Sequence, residues 1–105
     1  MSFIIYVAGP MTGVPEHNIP AFAWAERVLQ DAGYLVLNPA RHGTDQETWE
    51  DYMRRSLRDL LCCDGVALLS GWEDSRGATI EHNLAQELDM PCKPILDWAA
   101  EEATP

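Results

Sequence analysis

The run Gly65-Val66-Ala67-Leu68-Leu69 carries no polar residue at either alternate set of positions, so it has no face to offer to water. A strand of this kind is buried on both sides, which suits a central strand of a parallel sheet covered by helices. Parallel strands need crossovers long enough to hold a helix, and the rest of the chain supplies them. A β-branched and aromatic stretch at residues 2–8 reads as strand one, 34–37 as strand two and 93–96 as strand four. Helix one is expected from about Pro20, a residue suited to a first turn, to Gly33 as its terminating residue, with the stripe Phe22, Ala25, Leu29 and Ala32 inward. Helix two, capped by Thr48 or Asp45, runs to about Cys62 and buries Tyr52, Leu57, Leu60 and Leu61. Helix three covers about 78–88, Pro91 marks the turn after it, and 97–105 reads as an acidic tail. The order β-α-β-α-β-α-β with right-handed crossovers gives an α/β, three-layer, flavodoxin- or Rossmann-like domain over 1–105. Its four-stranded parallel sheet is expected in the order 2-1-3-4.

Composition limits the function classes. The formal charge is −10, with a single lysine, Lys93, and six arginines. Such a surface repels a nucleic-acid polymer, although it does not exclude one small nucleotide held by local donors. No apolar stretch approaches the roughly 20 residues of a membrane span, and the N-terminal residues read as a strand, not a signal peptide. Cys62, Cys63 and Cys92 lack zinc-ligand spacing, and an odd cysteine count suggests reduced thiols in a cytoplasm. His42 and His82 have no partners at metal-binding spacing, and nothing points to a metal or an organic cofactor. Arg54, Arg55 and Arg58 cluster on helix two as a solvated face, while Arg41 and Arg76 fall in loops.

The topology itself locates a site. In open α/β sheets ligands bind beyond the carboxyl ends of the strands, where the strand order reverses. Here that point lies between strands one and three, flanked by loops 9–18 and 71–77. The second loop leads into a helix whose first turn is expected to hold Glu81, either as an acid favoured by the helix dipole or as a functional carboxylate. Ser75 or Asp74 caps this helix. Trp72 packs or stacks on a flat ligand, Asn18 caps helix one or meets a ligand, and Phe22 and Trp24 belong to the core or to a lid.

With both loops placed, the chain resembles the nucleoside 2-deoxyribosyltransferase superfamily, which includes deoxynucleoside 5′-monophosphate N-glycosidases and short uncharacterised relatives, many borne by phages. Four segments carry the resemblance: Tyr6-Val-Ala-Gly-Pro-Met-Thr-Gly13, Asn38-Pro39, Cys63-Asp64-Gly65-Val66, and the spaced set Ser75, Gly77, Glu81 and Ala85. They occur in order across residues 3–96, and the short relatives are the nearest in pattern. The resemblance implies that Glu81 is the nucleophile in cleavage of an N-glycosidic bond. That chemistry is sensible, because a carboxylate opposite the base stabilises an oxocarbenium-like state or traps it as a glycosyl-enzyme. It further implies that Tyr6 holds Glu81, that Ser75 with Arg76 and Gly77 accepts a phosphate, and that Gly9, Pro10, Met11, Thr12, Gly13 and Asn38 cradle base and sugar. Asp64, which begins strand three, reads as structural.

One departure stands out. The characterised enzymes carry an aspartate on helix two where this chain has Ser56. A serine does not supply a proton as a carboxylic acid does, so Asp59 and Asp74 are the candidate substitutes. The expectation is therefore an N-glycosidase or deoxyribosyltransferase-like enzyme acting on a small deoxynucleotide or deoxynucleoside, and working as a homo-oligomer of dimer size or larger. The alternative is a binding module that uses the same pocket to sequester or sense a nucleotide. An adaptor built on an exposed apolar surface, with four tryptophans to contribute, is a third reading.

Overall fold

Strand alternation decides how this molecule is layered. The structure, a computed structural model, describes residues 2–41 and 48–102. Strands β1 (Ile4–Ala8), β2 (Leu35–Leu37), β3 (Gly65–Leu68) and β4 (Cys92–Pro94) form one parallel sheet in the order β2-β1-β3-β4. Tyr6 lies opposite Val66 on one side and Leu37 on the other, so β1 and β3 are central, as expected. Odd positions of β1 point to one face and even positions to the other. Ile5, Val7, Ala67 and Leu69 join a core with helices α1 (Ile19–Asp31) and α4 (Ile95–Glu101). Tyr6, Ala8, Val66 and Leu68 join a second core under α2 (Trp49–Leu60) and α3 (Arg76–Glu87).

Helix α1 buries Phe22, Ala25, Glu26 and Leu29, an i, i+3, i+4, i+7 stripe. Ala32 falls just past its end, and Gly33 follows at φ 99°, a left-handed conformation that stops the helix cheaply only with glycine. Glu26 is a charge-bearing residue inside an apolar stripe. Its Oε1 accepts from Asn38 Nδ2 at 2.9 Å and its Oε2 from Gln30 Nε2 at 3.2 Å. The chain enters α1 through Glu16, His17 and Asn18, all three left-handed.

Several boundaries differ from the sequence reading. Thr48 caps α2, its Oγ1 accepting from the Asp51 N–H at 3.0 Å, whereas Asp45 and His42 lie outside the described residues. Of the four α2 residues expected inside, only Leu60 is buried. Leu61 is 58% exposed, and the inward set is Met53, Ser56 and Leu60. The expected stripe was displaced because it followed the bulky apolar residues, while the helix presents a small polar one at its centre. Strand four ends at Pro94, and residues 95–101, expected as strand end and acidic tail, form α4. The apolar pair Ile95 and Trp98 explains this at i, i+3: both are buried, and the Trp98 indole N–H donates to the Val66 carbonyl at 2.8 Å.

Candidate active site

The even-numbered face of β1 carries the candidate site. Helix α3 turns Ala78, Glu81 and Ala85 (i, i+3, i+7) toward the sheet, and Glu81 meets the strand where Tyr6 stands. The Tyr6 hydroxyl donates to Glu81 Oε2 in a short, buried hydrogen bond. Tyr6 is wholly buried and Glu81 is 5% exposed. Removing a carboxylate from water favours its neutral form; burial raises the Glu81 carboxyl to about 8, with the Tyr6 hydrogen bond pulling in the other direction. The Tyr6 phenol is pushed well above its ordinary value, first by burial and then by the Glu81 charge.

Glu81 is the sixth residue of α3, not part of its first turn. Ser75 starts the helix two residues earlier than expected, its Oγ accepting from the Ala78 N–H at 3.2 Å. A dipole role fades beyond the first turn, so it does not account for a buried acid here.

A cavity of about 40 Å³ opens over Glu81 at the carboxyl edge of the sheet. The loop after β1 contributes Gly9, Met11 and Thr12; α1 contributes Phe22 and the segment after β2 contributes Pro39. Helix α3 and its cap contribute Ser75, Gly77, Ala78 and Glu81, and α2 closes the cavity with Trp49, Tyr52 and Met53. Gly9 is dictated by contact, because a Cβ there would lie 2.7 Å from the Cβ of Leu69. Two contacts tie α2 across the opening. The Tyr52 hydroxyl donates to Met11 Sδ at 2.8 Å, and the Arg76 guanidinium lies 4.1 Å above the Trp49 ring.

The structure brings Glu81, Tyr6, Gly9, Met11, Thr12, Ser75 and Gly77 together. It places the other candidates around this group and not in it. Pro10 accepts the Asn18 Nδ2 bond at 2.9 Å through its carbonyl, and Gly13 sits in an exposed turn. Asn38 spends its amide on Glu26 and on the Ala40 N–H. Arg76, read from sequence as a loop residue, is the first residue of α3 with its side chain on Trp49. Asp59 is one turn beyond Ser56 along a helix that runs away from the carboxyl edge; it does not line the cavity. Asp74 is exposed in the 72–74 turn. Asp64 Oδ2 accepts from the Ile4 N–H at 2.8 Å and joins β1 to β3. Trp72 stacks on His82 with centroids 4.3 Å apart, away from the cavity. Cys62, Cys63 and Cys92 are free thiols, and burial pushes Cys63 up to about 12.

The residues that sequence reasoning missed are Trp49, Tyr52 and Met53 as cavity walls. The signal was available in the topology: every helix that follows a strand in a doubly wound fold begins at the carboxyl edge. The first turns of α2 therefore had to stand beside the site. A larger recess of about 530 Å³ lies between the start of α1, the end of β3 and the start of α4, with Asp97 as its one titratable lining residue. The hydrogen-bonded Tyr6–Glu81 pair belongs to the smaller one.

The family model of the domain of unknown function DUF4406 matches residues 3–93. No curated protein matches the chain. Among solved structures, a 2-deoxyribosyltransferase from the psychrotolerant bacterium Bacillus psychrosaccharolyticus superposes with a TM-score of 0.66. The superposition covers 85% of this chain and 69% of that one, at 21% sequence identity. The two share a fold, which in this chain is a four-stranded parallel sheet, order 2-1-3-4, between helices.

Proposed function

We propose that this chain, which belongs to the DUF4406 family, cleaves the N-glycosidic bond of a small deoxynucleotide or deoxynucleoside with Glu81 as nucleophile. The observation that carries the proposal is the buried Tyr6–Glu81 pair in a cavity at the carboxyl edge between β1 and β3. The 2-deoxyribosyl group named for the enzyme of the same fold is the group we bring to this site. Glu81 attacks the anomeric carbon from the face opposite the base as the C–N bond breaks, and the bond's electron pair leaves with the base. Tyr6 holds the carboxylate so that the attacking oxygen stays aimed at the sugar. Water or a second base then takes the sugar from Glu81, giving hydrolysis or transfer. Ser75 and the N–H groups at the start of α3 receive a 5′-phosphate, since a helix N-terminus favours an anion. A cavity of about 40 Å³ is far smaller than a nucleoside, so Met11 or the Trp49–Tyr52 turn moves outward for the substrate to bind.

Two further readings belong with this one. Ile80, Leu84 and Leu88 form an i, i+4, i+8 stripe along α3, with Ile80 and Leu88 exposed, a surface suited to a homo-oligomer built through this helix. The rival function is a nucleotide-binding module, and a specific observation favours it: among the described residues Glu81 is the only acidic one that lines the cavity. No second carboxylic acid among the described residues stands there to protonate the leaving base.

One experiment separates enzyme from module. The protein and a Glu81→Ala variant are incubated with 2′-deoxynucleoside 5′-monophosphates and free deoxynucleosides, and the mixtures are separated by chromatography. The proposal expects free base from the native protein, with the variant slower by at least about a thousandfold. Equal release by both proteins removes Glu81 from the mechanism. Tight binding of a nucleotide recovered intact establishes the module instead.

A further inference from the structure

Among the described residues, one side-chain hydroxyl is buried without a use: Ser56 is wholly buried and its Oγ has no hydrogen-bond partner of good geometry. Such a group is destabilising, because its lost hydration is not repaid, and it sits in the middle of the inward face of α2. One turn before it, Met53 walls the cavity over Glu81; one turn after it, Leu60 packs in the same core as Tyr6. Ser56 thereby stands on the face of α2 that packs toward Tyr6, where a bond from its hydroxyl would favour the phenol's ionised form.

We infer that Ser56 is a positioning residue for the Tyr6–Glu81 pair: its hydroxyl reverses direction with the protonation of Glu81 and keeps Tyr6 engaged in both states. With Glu81 ionised, Ser56 O–H donates to the Tyr6 oxygen while Tyr6 O–H donates to the carboxylate. With Glu81 protonated, the acid's O–H donates to Tyr6, Tyr6 O–H donates to Ser56 Oγ, and the Ser56 proton turns to the carbonyl one turn back on α2. No proton is gained or lost in the reversal beyond the one on Glu81. A hydroxyl does this because it both donates and accepts; alanine does neither, and an ionised aspartate only accepts. Chained donors polarise one another, so the ionised arrangement is the one Ser56 strengthens. Among the described residues, the other polar groups around the pair are Tyr52 on α2, Thr12 in the first loop and Ser75 at the start of α3, none of them charged. The neighbouring charges are directed elsewhere, Arg55 over the Tyr52 ring and Arg76 over Trp49.

The inference extends the reading of Glu81 as nucleophile, but its test needs no substrate. The Glu81 carboxyl carbon is followed by NMR against pH in the native protein, in Ser56→Ala, in Tyr6→Phe and in the double variant. Ser56→Ala should raise the Glu81 midpoint by about 0.5–1 pH unit, roughly three- to tenfold in proton affinity, the size of one neutral hydrogen bond. In the Tyr6→Phe background the same change should do nothing, because Ser56 acts through Tyr6. The Tyr6 ring carbon that bears oxygen should also move at the Glu81 midpoint in the native protein. An unchanged midpoint in Ser56→Ala, an equal shift in both backgrounds, or a silent Tyr6 would each overturn the inference. A merely structural serine would change the melting temperature and leave the midpoint in place. Absence of glycosidase activity would remove the proposed function while leaving this titration result intact.

Discussion

A carboxyl group sealed against a phenol at the base of a cavity loses most of its hydration, and at Glu81 that loss governs both reactivity and stability. Its value of about 8 lies well above the ordinary 4.5 expected in an unfolded chain. Between those two pH values the native protein holds one proton more than the unfolded chain. Stability is therefore greatest below the lower value and falls as pH rises through about 8, by several kcal/mol over the window. Glu81→Gln keeps the shape and removes the titration. Urea midpoints measured from pH 4.5 to 9 should fall steeply for the native protein and more gently for the variant, and parallel curves would contradict a raised Glu81. Under the proposed mechanism reactivity has the opposite sign, because only an ionised Glu81 would attack. The kcat/KM for the proposed glycosidase reaction should then rise about tenfold per pH unit below 8 and level off above it. A profile already flat from pH 6 would place the ionisation elsewhere.

At the scale of the element, the segment joining β1 to α1 is the costly one. Glu16, His17 and Asn18 occupy the left-handed region at φ 57°, 53° and 62°, a conformation that disfavours side chains by roughly 1–2 kcal/mol each. Asn18 is compensated by its bond to the Pro10 carbonyl, whereas Glu16 and His17 are exposed. Glycine at both positions should raise stability by about 1 kcal/mol per site, offset in part by the greater freedom of the unfolded chain. The melting temperature should then rise by several degrees; a fall would show that these side chains hold the turn. The loop these residues anchor carries Met11 and Thr12 over Glu81, so its geometry bears on the cavity as well as on the fold.

At the scale of the whole molecule, α4 closes one side of the sheet through a single large residue. Trp98 is 4% exposed, packs with Phe3 and Tyr34, gives its indole proton to Val66, and accepts the Tyr34 hydroxyl on its carbonyl at 3.0 Å. Trp98→Ala should cost about 3–5 kcal/mol, read as a lowered urea midpoint; a loss under 1 kcal/mol would mean that α4 is dispensable to the core. This tie is remote from the cavity, lying on the α1/α4 face while Glu81 lies on the α2/α3 face. The net charge of −10 acts on the molecule as a whole. Self-repulsion of that size is screened by salt, so the melting temperature should rise between low ionic strength and 0.5 M NaCl.

The sequence by itself determined the order of strands and helices, the parallel sheet and the edge where a site must lie. These follow from local patterns: unbroken apolar runs, glycine and proline at the breaks, and crossovers that permit only one hand. Topology brought the loops after β1 and β3 to one edge, because the ends of those strands converge in such a fold, and the family resemblance singled out Tyr6, Glu81 and Ser75 there. The rotation of α2 was decided only by tertiary packing. The helix's apolar residues Trp49, Tyr52, Met53, Leu57, Leu60 and Leu61 recur at helical spacing and mark one broad face, and close packing turned that face so that Met53, Ser56 and Leu60 are buried and Leu61 is left exposed. The same packing made Trp49 and Tyr52 walls of the cavity and left Asp59 outside it. The raised Glu81 likewise needed the assembled molecule, since desolvation depends on every element that excludes water, and none of them adjoins Glu81 in sequence except its own helix.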